Sequence, residues 1–178
     1  MPVYLLTAHA YRSWQEDHRK GYVQRAQGLK DPSERLARWR ANHAKHEPAR
    51  FSRDIQEIIL NVASEIARER NVRLHASAAT LTHVHILISF RSPACTCGAA
   101  KYCRGGCPGR AFAEKVIVRM KQKMGQAVAR SQQTVGRQWF SRGWDMTPVR
   151  ERAHFDRFVS SYLPKHASEE DGLVRICE

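Results

Sequence analysis

The sequence predicts an α+β fold in which helices pack on an antiparallel β-sheet. First, short apolar and β-branched stretches, typical of strands, alternate with longer stretches whose apolar residues recur every three or four positions, typical of amphipathic helices. Second, the predicted order is strand, helix, strand, strand, helix, strand, helix, which favours helices and antiparallel strands that share one core. The chain has 178 residues, enough for one domain with a hydrophobic core, and we expect a single domain over residues 1–178.

The elements of the first half follow from local patterns. An apolar run with β-branched or aromatic residues indicates each strand. A polar stretch interrupted by glycines and prolines separates the first strand from the first long helix. That helix begins after Ser52, a residue suited to the N-cap, and its apolar residues recur at helical spacing. The expected bounds are a strand at residues 3–11, a mostly irregular segment at 12–50 with a short helix near 33–43, a helix at 52–70, and strands at 73–81 and 84–90.

The second half begins with an insertion rich in cysteine and glycine. The helix that follows has one apolar stripe and a separate basic stripe, which indicates that one of its faces is buried. A later segment rich in tryptophan predicts one or two short strands, and a third amphipathic helix comes next. The expected bounds are the insertion at 92–109, the helix at 110–130, the strands within 137–149 and the last helix from 153 to about 163. The order of elements favours a ferredoxin-like or RRM-like core with a Cys-rich insertion.

The chain is strongly basic. Thirty Lys and Arg residues stand against 17 Asp and Glu residues, which leaves a formal net charge of +13. Such a surface attracts polyanions, of which nucleic acid is the commonest, and an anionic membrane is the rival interpretation. We find no apolar run long enough to span a bilayer and no signal peptide, so a cytoplasmic location is expected.

The charge is concentrated between Ser92 and Arg142. This stretch has ten basic residues and one acidic residue, and a solvated face rarely needs such a bias. We therefore expect it to contact phosphates, with aromatic rings that stack on bases. For Trp139 and Trp144, packing in the core is an equally good interpretation. The candidate DNA-binding residues are Lys115, Arg119, Lys123, Arg142 and Trp144.

Two histidines open the predicted strand after the tight turn at residues 81–83. His83 and His85 are two positions apart, so on a strand they point to the same side and can share a cation. The spacing alone also fits two surface histidines at the end of a strand. Tyr162 lies on the last helix on the same face as Phe158 and Val159, and from this pattern alone it is a core residue.

The sequence around the histidine pair resembles a known family. The segment Thr82-His83-Val84-His85-Ile86-Leu87-Ile88 looks like the HUH signature (His, bulky apolar, His) of single-tyrosine transposases, and in particular of REP-associated tyrosine transposases. Other blocks agree in order and distance, and the resemblance covers nearly the whole chain except the Cys-rich insertion. These blocks are residues 7–14 with the loop to 25, residues 73–76, 139–144, 149–150 and 161–163.

The resemblance implies a role for each matching residue. His83 and His85 match the metal-binding histidines, where Mg²⁺ or Mn²⁺ would bind, and Tyr162 matches the nucleophile. His166 stands where the family's third metal ligand is expected, although the family more often has an amide there. Pro164 is a second departure, because proline removes a helical hydrogen bond and is expected to end the helix before His166. Glu169 or water is then the alternative ligand.

The chemistry that the resemblance implies is DNA strand cleavage and transfer. Attack by Tyr162 on a phosphodiester of single-stranded or hairpin DNA would leave a 5′-phosphotyrosine and a free 3′ hydroxyl. This covalent intermediate keeps the bond energy, so the strand can be rejoined. The resemblance allows either a monomer or a homodimer.

Four cysteines fall within thirteen residues of the insertion: Cys95, Cys97, Cys103 and Cys107. Thiolates this close together in a cytosolic protein favour tetrahedral Zn²⁺ over disulfides, and such a zinc would be structural. The spacing is not that of a standard zinc finger, so ordinary thiols or a redox pair are the alternative.

Three functions fit the sequence. The first is a transposase-like enzyme that cuts and rejoins single-stranded DNA. The second is a zinc-stapled protein that binds DNA or RNA without cutting it, which would have no need of Tyr162 beside the histidine pair. The third is a replication-initiator or relaxase-type nickase, which shares the chemistry of the first.

Overall fold

The fold is a five-stranded antiparallel sheet with helices packed on it. The structure is a computed structural model, and it describes residues 1–19, 21–24, 28–91 and 107–177. The strand order is β6-β1-β5-β4-β7, and a separate two-stranded sheet pairs β2 with β3. The path β1-α2-β4-β5-α3-β6 is the βαββαβ order of a ferredoxin-like fold, so the predicted fold class is confirmed.

The described strands are β1 (Val3–His9), β2 (Tyr22–Gln24), β3 (Gly28–Lys30), β4 (Arg73–Ala79), β5 (His83–Ser89), β6 (Asp145–Val149) and β7 (Leu173–Ile176). The described α-helices are α1 (Glu34–Asn42), α2 (Arg53–Glu69), α3 (Pro108–Ser131), α4 (Arg152–Arg157) and α5 (Leu163–Glu169), and a π-helical turn (Phe158–Tyr162) connects the last two.

One face of the sheet carries the larger core, formed with α2 and α3. The predicted stripes of both helices point inward, and Ile55, Ile59, Val116, Met120 and Met124 are all buried. Helical spacing of apolar residues predicts this arrangement because it places them on one side of the helix. The central strand β5 is buried along its whole length, since helices cover both faces of the sheet.

The opposite face carries a smaller core beneath α4, the π-helical turn and α5. Leu5, Leu87, Phe158 and Leu163 are buried there. The expected helix break at Pro164 is wrong, because the helical segment continues to Glu169. In the π-helical turn the N–H of Leu163 donates to the carbonyl of Phe158, five residues back. Pro164 then lies in the first turn of α5, where a missing N–H is tolerated.

Several elements differ from the sequence-based expectation. The strand β7 and the hairpin β2–β3 were not predicted, since both are short and lack a clear alternation of apolar residues. Only Asp145–Val149 forms a strand in the tryptophan-rich segment, although Phe140 adds an isolated bridge to Ala10. The short helix expected near residues 33–43 is α1, capped by the side chain of Ser33.

Most of the Cys-rich insertion lies outside the described residues. This includes Cys95, Cys97 and Cys103, so the zinc site stays a prediction. Cys107 is described and buried, directly before α3. Among the described helices, none has the length and apolar character needed to cross a membrane.

Candidate active site

The two central strands present four polar side chains on the face that carries the smaller core. In the antiparallel register Thr7 of β1 is opposite His85 of β5, and His9 is opposite His83. All four side chains share the face of Leu5 and Leu87 because side chains two positions apart on a strand point the same way. The sequence-based expectation that His83 and His85 lie together is therefore met by the strand geometry.

His166 reaches the same place from α5. One ligand atom from each of His83, His85 and His166 lies within 4.8 Å of the other two. The rings of His83 and His85 are 4.7 Å apart between centroids, and His166 is 4.6 Å and 5.0 Å from them. Nε2 of His83 contacts Nε2 of His166. These three imidazoles form a candidate metal site, which we call the histidine cluster.

Threonine hydroxyls fix the outer nitrogen of each strand histidine. Oγ1 of Thr7 is 2.8 Å from Nδ1 of His85, and Oγ1 of Thr82 is 2.9 Å from Nδ1 of His83. Thr80 adds a second contact to Nδ1 of His83 at 3.2 Å. With Nδ1 engaged in this way, Nε2 of each ring is left to face the cluster. Hydroxyl partners of this kind orient metal-ligating histidines.

Both strand histidines are neutral at ordinary pH. Burial, the largest cause, lowers the pKa of His83 to about 4, although the charge of Glu170 acts in the opposite direction. Burial, assisted by the neighbouring His83 and His166, lowers the pKa of His85 to about 2. Neutral imidazole is the form that binds a metal ion, so both strand histidines are already in the required protonation state.

A carboxylate at the rim completes the surroundings. Glu170 lies 3.7 Å from Nδ1 of His83 and 3.6 Å from Nε2 of His166, and it accepts from the hydroxyl of Thr82 at 3.5 Å. The sequence-based alternative ligand was Glu169, which instead pairs with Lys165 at 3.7 Å. Glu170 was missed because its role depends on where α5 ends relative to β5.

Tyr162 lies at the inner edge of the cluster. Its Oη is 3.5 Å from Nε2 of His85, and its ring is nearly parallel to that of His166, with an interplanar angle of 15°. The same ring packs edge-on against Phe158 at 5.4 Å, so the expected core packing is present as well. The ring thus belongs to the smaller core while the hydroxyl faces the histidines.

The surroundings of Tyr162 disfavour ionisation of its phenol. Burial, and after it the charge of Glu170, raises the pKa of the Tyr162 phenol above its ordinary value. The protein residues alone therefore keep the hydroxyl protonated at neutral pH. Ionisation of this phenol would need positive charge from another source.

His9 and Asp145 extend the polar face toward the edge strand β6. Nε2 of His9 is 3.4 Å from the carboxylate of Asp145, and this contact, the largest cause, lowers the pKa of Asp145. The His9 ring is 5.6 Å from the ring of His83. The sequence offered one indication, the position of His9 at the end of β1, but its neighbours are set by strand pairing across more than seventy residues.

The residues expected to bind DNA fall into two groups. Lys115, Arg119 and Lys123 lie on α3, which packs on the opposite face of the sheet from the histidine cluster, and Arg119 is 3.5 Å from Glu69. Arg142 and Trp144 are exposed on the loop before β6. This loop lies next to the end of β1, where the backbone N–H of Ser141 donates to the carbonyl of His9. Their role in DNA binding stays a prediction. Trp139 is buried, as the core-packing interpretation has it.

Lys121 is a basic residue of α3 that the sequence did not single out. Its Nζ donates to the carbonyl oxygens of Ser141, Arg142 and Gly143 at 2.6, 3.2 and 2.7 Å. It also lies 5.3 Å from the ring centroid of Trp144. This single ammonium group therefore fixes the loop that carries Arg142 and Trp144.

No protein-family model matches the sequence, and no curated protein is found to be similar to it. Among solved structures, the chain is similar to that of a REP-associated tyrosine transposase bound to a REP hairpin. The two share 6% sequence identity, with a TM-score of 0.49, and the match covers 94% of this chain and 67% of that one. A likeness of this degree says nothing about activity, which depends on the residues of the site itself.

Proposed function

We propose that the protein is a metal-dependent endonuclease and strand transferase for single-stranded DNA, with Tyr162 as its nucleophile. The observation that carries the proposal is the position of the Tyr162 hydroxyl, 3.5 Å from His85 within a cluster of three histidines. A tyrosine buried only for packing has no need of a neighbouring metal-ligand set. The sequence resemblance to HUH transposases assigns the same residues to the same roles.

The donor set fits a divalent cation. The strand histidines are neutral, their Nδ1 atoms are engaged by threonines, and Glu170 offers an anionic oxygen at the rim. Imidazole suits Mn²⁺ better than Mg²⁺, which prefers oxygen ligands, so we expect Mn²⁺ to bind more tightly. A cation held here supplies positive charge that polarises the scissile phosphate and favours the tyrosinate.

The protein residues then carry out a transesterification. The phenolic oxygen of Tyr162 forms a bond to phosphorus while the bond from phosphorus to the 3′ oxygen breaks. The phenol loses one proton and the released 3′ oxygen takes one up, so no proton is gained or lost overall. The product is a 5′-phosphotyrosine. Attack on it by a 3′ hydroxyl reverses the exchange and rejoins a strand without ATP.

Binding of the strand depends on the basic surface. The net charge of +13 provides affinity for any polyanion, and a cation at the cluster would add a contact to one phosphate. We propose single-stranded or hairpin DNA as the substrate, because the half-buried Tyr162 is reached more easily by an unpaired, flexible strand than by a rigid duplex.

The test is a search for the covalent adduct. The full chain is incubated with a random pool of labelled single strands and Mn²⁺, and adducts are separated under denaturing conditions and mapped by mass spectrometry. We expect a phosphotyrosyl peptide that contains Tyr162. The control is Tyr22→Phe, which removes one phenol hydroxyl from the separate β2–β3 hairpin, and this variant should form the adduct normally.

Three outcomes would contradict the proposal in different ways. An adduct on Tyr4, Tyr11, Tyr22 or Tyr102 would keep the reaction class and reject Tyr162. Cleavage without any protein adduct would identify water as the nucleophile. Binding without cleavage would support the alternative of a non-catalytic nucleic-acid-binding protein.

A further inference from the structure

A cleft of about 830 Å³ lies where the chain leaves β1. Its walls are the segment that follows β1, the end of α1 with the turn after it, and the loop before β6. Nothing in the proposed chemistry uses it. It differs from an ordinary surface depression because aromatic rings and positive charges line it together.

Two exposed tryptophans stand at this cleft. Trp14 is 46% exposed and Trp39 is 57% exposed, although large aromatic side chains are normally buried. Each indole stacks on the histidine four residues later, with centroids 3.9 Å apart for His18 and 4.5 Å for His43. Nε1 of Trp14 also donates to the carbonyl of Gly21 at 3.0 Å. The rings are thus held in place while much of their surface is open, as in stacking platforms for unpaired bases.

The charge of the cleft is positive. Its one carboxylate, Glu16, is buried and pairs with Arg40, which also joins the segment after β1 to α1. Arg12, Lys45 and Arg142 remain, and none of the three forms an ion pair with another described residue. Phosphates are the natural counter-charge for cations interleaved with aromatic rings.

The cleft is connected to the histidine cluster through ring contacts. Trp14 lies edge-on to His9 at 6.5 Å, and His9 is 5.6 Å from His83. Arg12, where the chain turns from β1 into the cleft, has a φ of 57°, in the left-handed region that non-glycine residues seldom adopt. Such local strain concentrates at ligand sites, where the surrounding structure maintains it.

We infer that this cleft binds an unpaired segment of a DNA strand next to the phosphate that Tyr162 attacks. Bases stack on Trp14 and Trp39, and Arg12, Lys45 and Arg142 neutralise the phosphates between them. The inference rests on the proposed function in one respect only, namely that the strand in the cleft is the one that is cut. Duplex DNA does not fit this role, because the faces of paired bases are already stacked.

The test measures binding apart from cleavage. Every variant is made in the full-length Tyr162→Phe chain, and affinity for a labelled single strand of about 12 nucleotides is measured by fluorescence anisotropy at several salt concentrations. Trp39→Ala should weaken binding about tenfold without changing the salt dependence, because stacking is not ionic. Lys45→Ala should reduce the slope of log affinity against log salt by about 0.7, the value for one phosphate contact on a single strand.

Matched controls separate the cleft from the general basic surface. Arg38→Ala removes the same charge from the exposed side of α1, outside the cleft, and should leave the slope unchanged. A duplex of the same sequence should bind Trp39→Ala and its parent equally. Single strands that carry 5-iododeoxyuridine should photocrosslink to Trp14 or Trp39. Crosslinks confined to α3, or equal affinities of Trp39→Ala and its parent, would overturn the inference.

The remaining outcomes distinguish the occupant and the function. Polyglutamate that binds with the same dependence on Trp39 would assign the cleft to an acidic protein partner and overturn the inference. If the unsubstituted chain forms the Tyr162 adduct while Trp39→Ala binds normally, the cleft is rejected and the proposed function stands. If Trp39→Ala weakens binding but no adduct forms, the cleft stands as a single-strand site and the proposed function fails.

Discussion

The hydroxyl oxygen of Tyr162 lies 3.5 Å from Nε2 of His85, although the two residues are 77 positions apart in the sequence. The contact joins the helical segment after β6 to the central strand of the sheet. It places a phenol beside the atoms that can hold a cation, in a setting where burial and Glu170 raise the phenol pKa. A cation would therefore have a measurable effect on this tyrosine.

Tyr162→Phe should separate folding and binding from chemistry. Phenylalanine keeps the ring and its packing against Phe158, so the free energy of unfolding should change by less than about 1 kcal/mol, the net value of one ordinary polar contact. DNA affinity and metal uptake should be unchanged, but no covalent adduct should form. A variant that still forms the adduct, measured by denaturing electrophoresis, would show that Tyr162 is only a core residue.

His83→Ala combined with His85→Ala should abolish Mn²⁺ binding and strand cleavage. DNA affinity should stay nearly intact, because it comes from the basic surface rather than from the neutral histidines. Calorimetric titration with Mn²⁺ and a cleavage assay measure the two effects. His154→Ala, which removes a histidine that packs on Phe158 outside the cluster, is the control. Full cleavage by the double variant would place the metal elsewhere.

Thr7→Val should weaken metal binding without removing a metal ligand. The buried Thr7 hydroxyl lies 2.8 Å from Nδ1 of His85, and valine has the same shape but cannot hold that nitrogen. Loss of such an outer partner lowers metal affinity about 10- to 100-fold. The control is Thr147→Val. Thr147 is exposed on β6 and lies on the same face of the sheet as Thr7, and this variant should bind Mn²⁺ normally. Equal affinities for the two variants would mean that the orientation of the His85 ring is set in another way.

The Cys-rich insertion yields a prediction that depends on sequence alone. Protein purified under reducing conditions should carry about one Zn²⁺ per chain, and Cys95→Ser with Cys103→Ser should abolish it. Cys177→Ser, which changes a cysteine near β7, should leave the zinc content unchanged. Elemental analysis that finds no zinc in freshly purified, unchelated protein would contradict the prediction.

The sequence was most informative where a local pattern determines the side of a strand or helix on which a side chain lies. Alternation along β5 is enough to place His83 and His85 on one face, and helical spacing identifies the buried stripes of α2 and α3. The same rule places Tyr162 on the inward face of its helix. What a local pattern cannot predict is which residues of other elements it meets.

The missed residues all depend on non-local geometry. Thr7 and His9 become neighbours of the histidines through the β1–β5 register, and Glu170 does so only because α5 continues past Pro164. That continuation depends on the π-helical turn, which advances the helical path by one residue and has no reliable sequence signature. The cleft is assembled from three separated segments, so no single motif marks it.

His166 allows the sharpest test of the metal site, because its substitution should change metal preference rather than abolish binding. His166 contributes the third nitrogen of the cluster, four residues after Tyr162 and one helical turn along the same face. His166→Gln replaces this nitrogen with an amide oxygen of similar reach. The HUH family that the sequence resembles more often has an amide at this position. Since Mg²⁺ prefers oxygen ligands and Mn²⁺ accepts either, the ratio of cleavage rates in Mg²⁺ and Mn²⁺ should rise in this variant.

His166→Ala is the variant to compare with His166→Gln in this experiment. It removes the ligand without a replacement, so cleavage should fall in both metals, partially rather than completely if Glu170 or water takes the vacant position. The measurement is the initial rate of adduct formation at saturating DNA over a range of each metal concentration. If the glutamine and alanine variants show the same metal preference and the same metal affinity as the unsubstituted chain, His166 is not a ligand. Its ring would then serve only to stack on Tyr162.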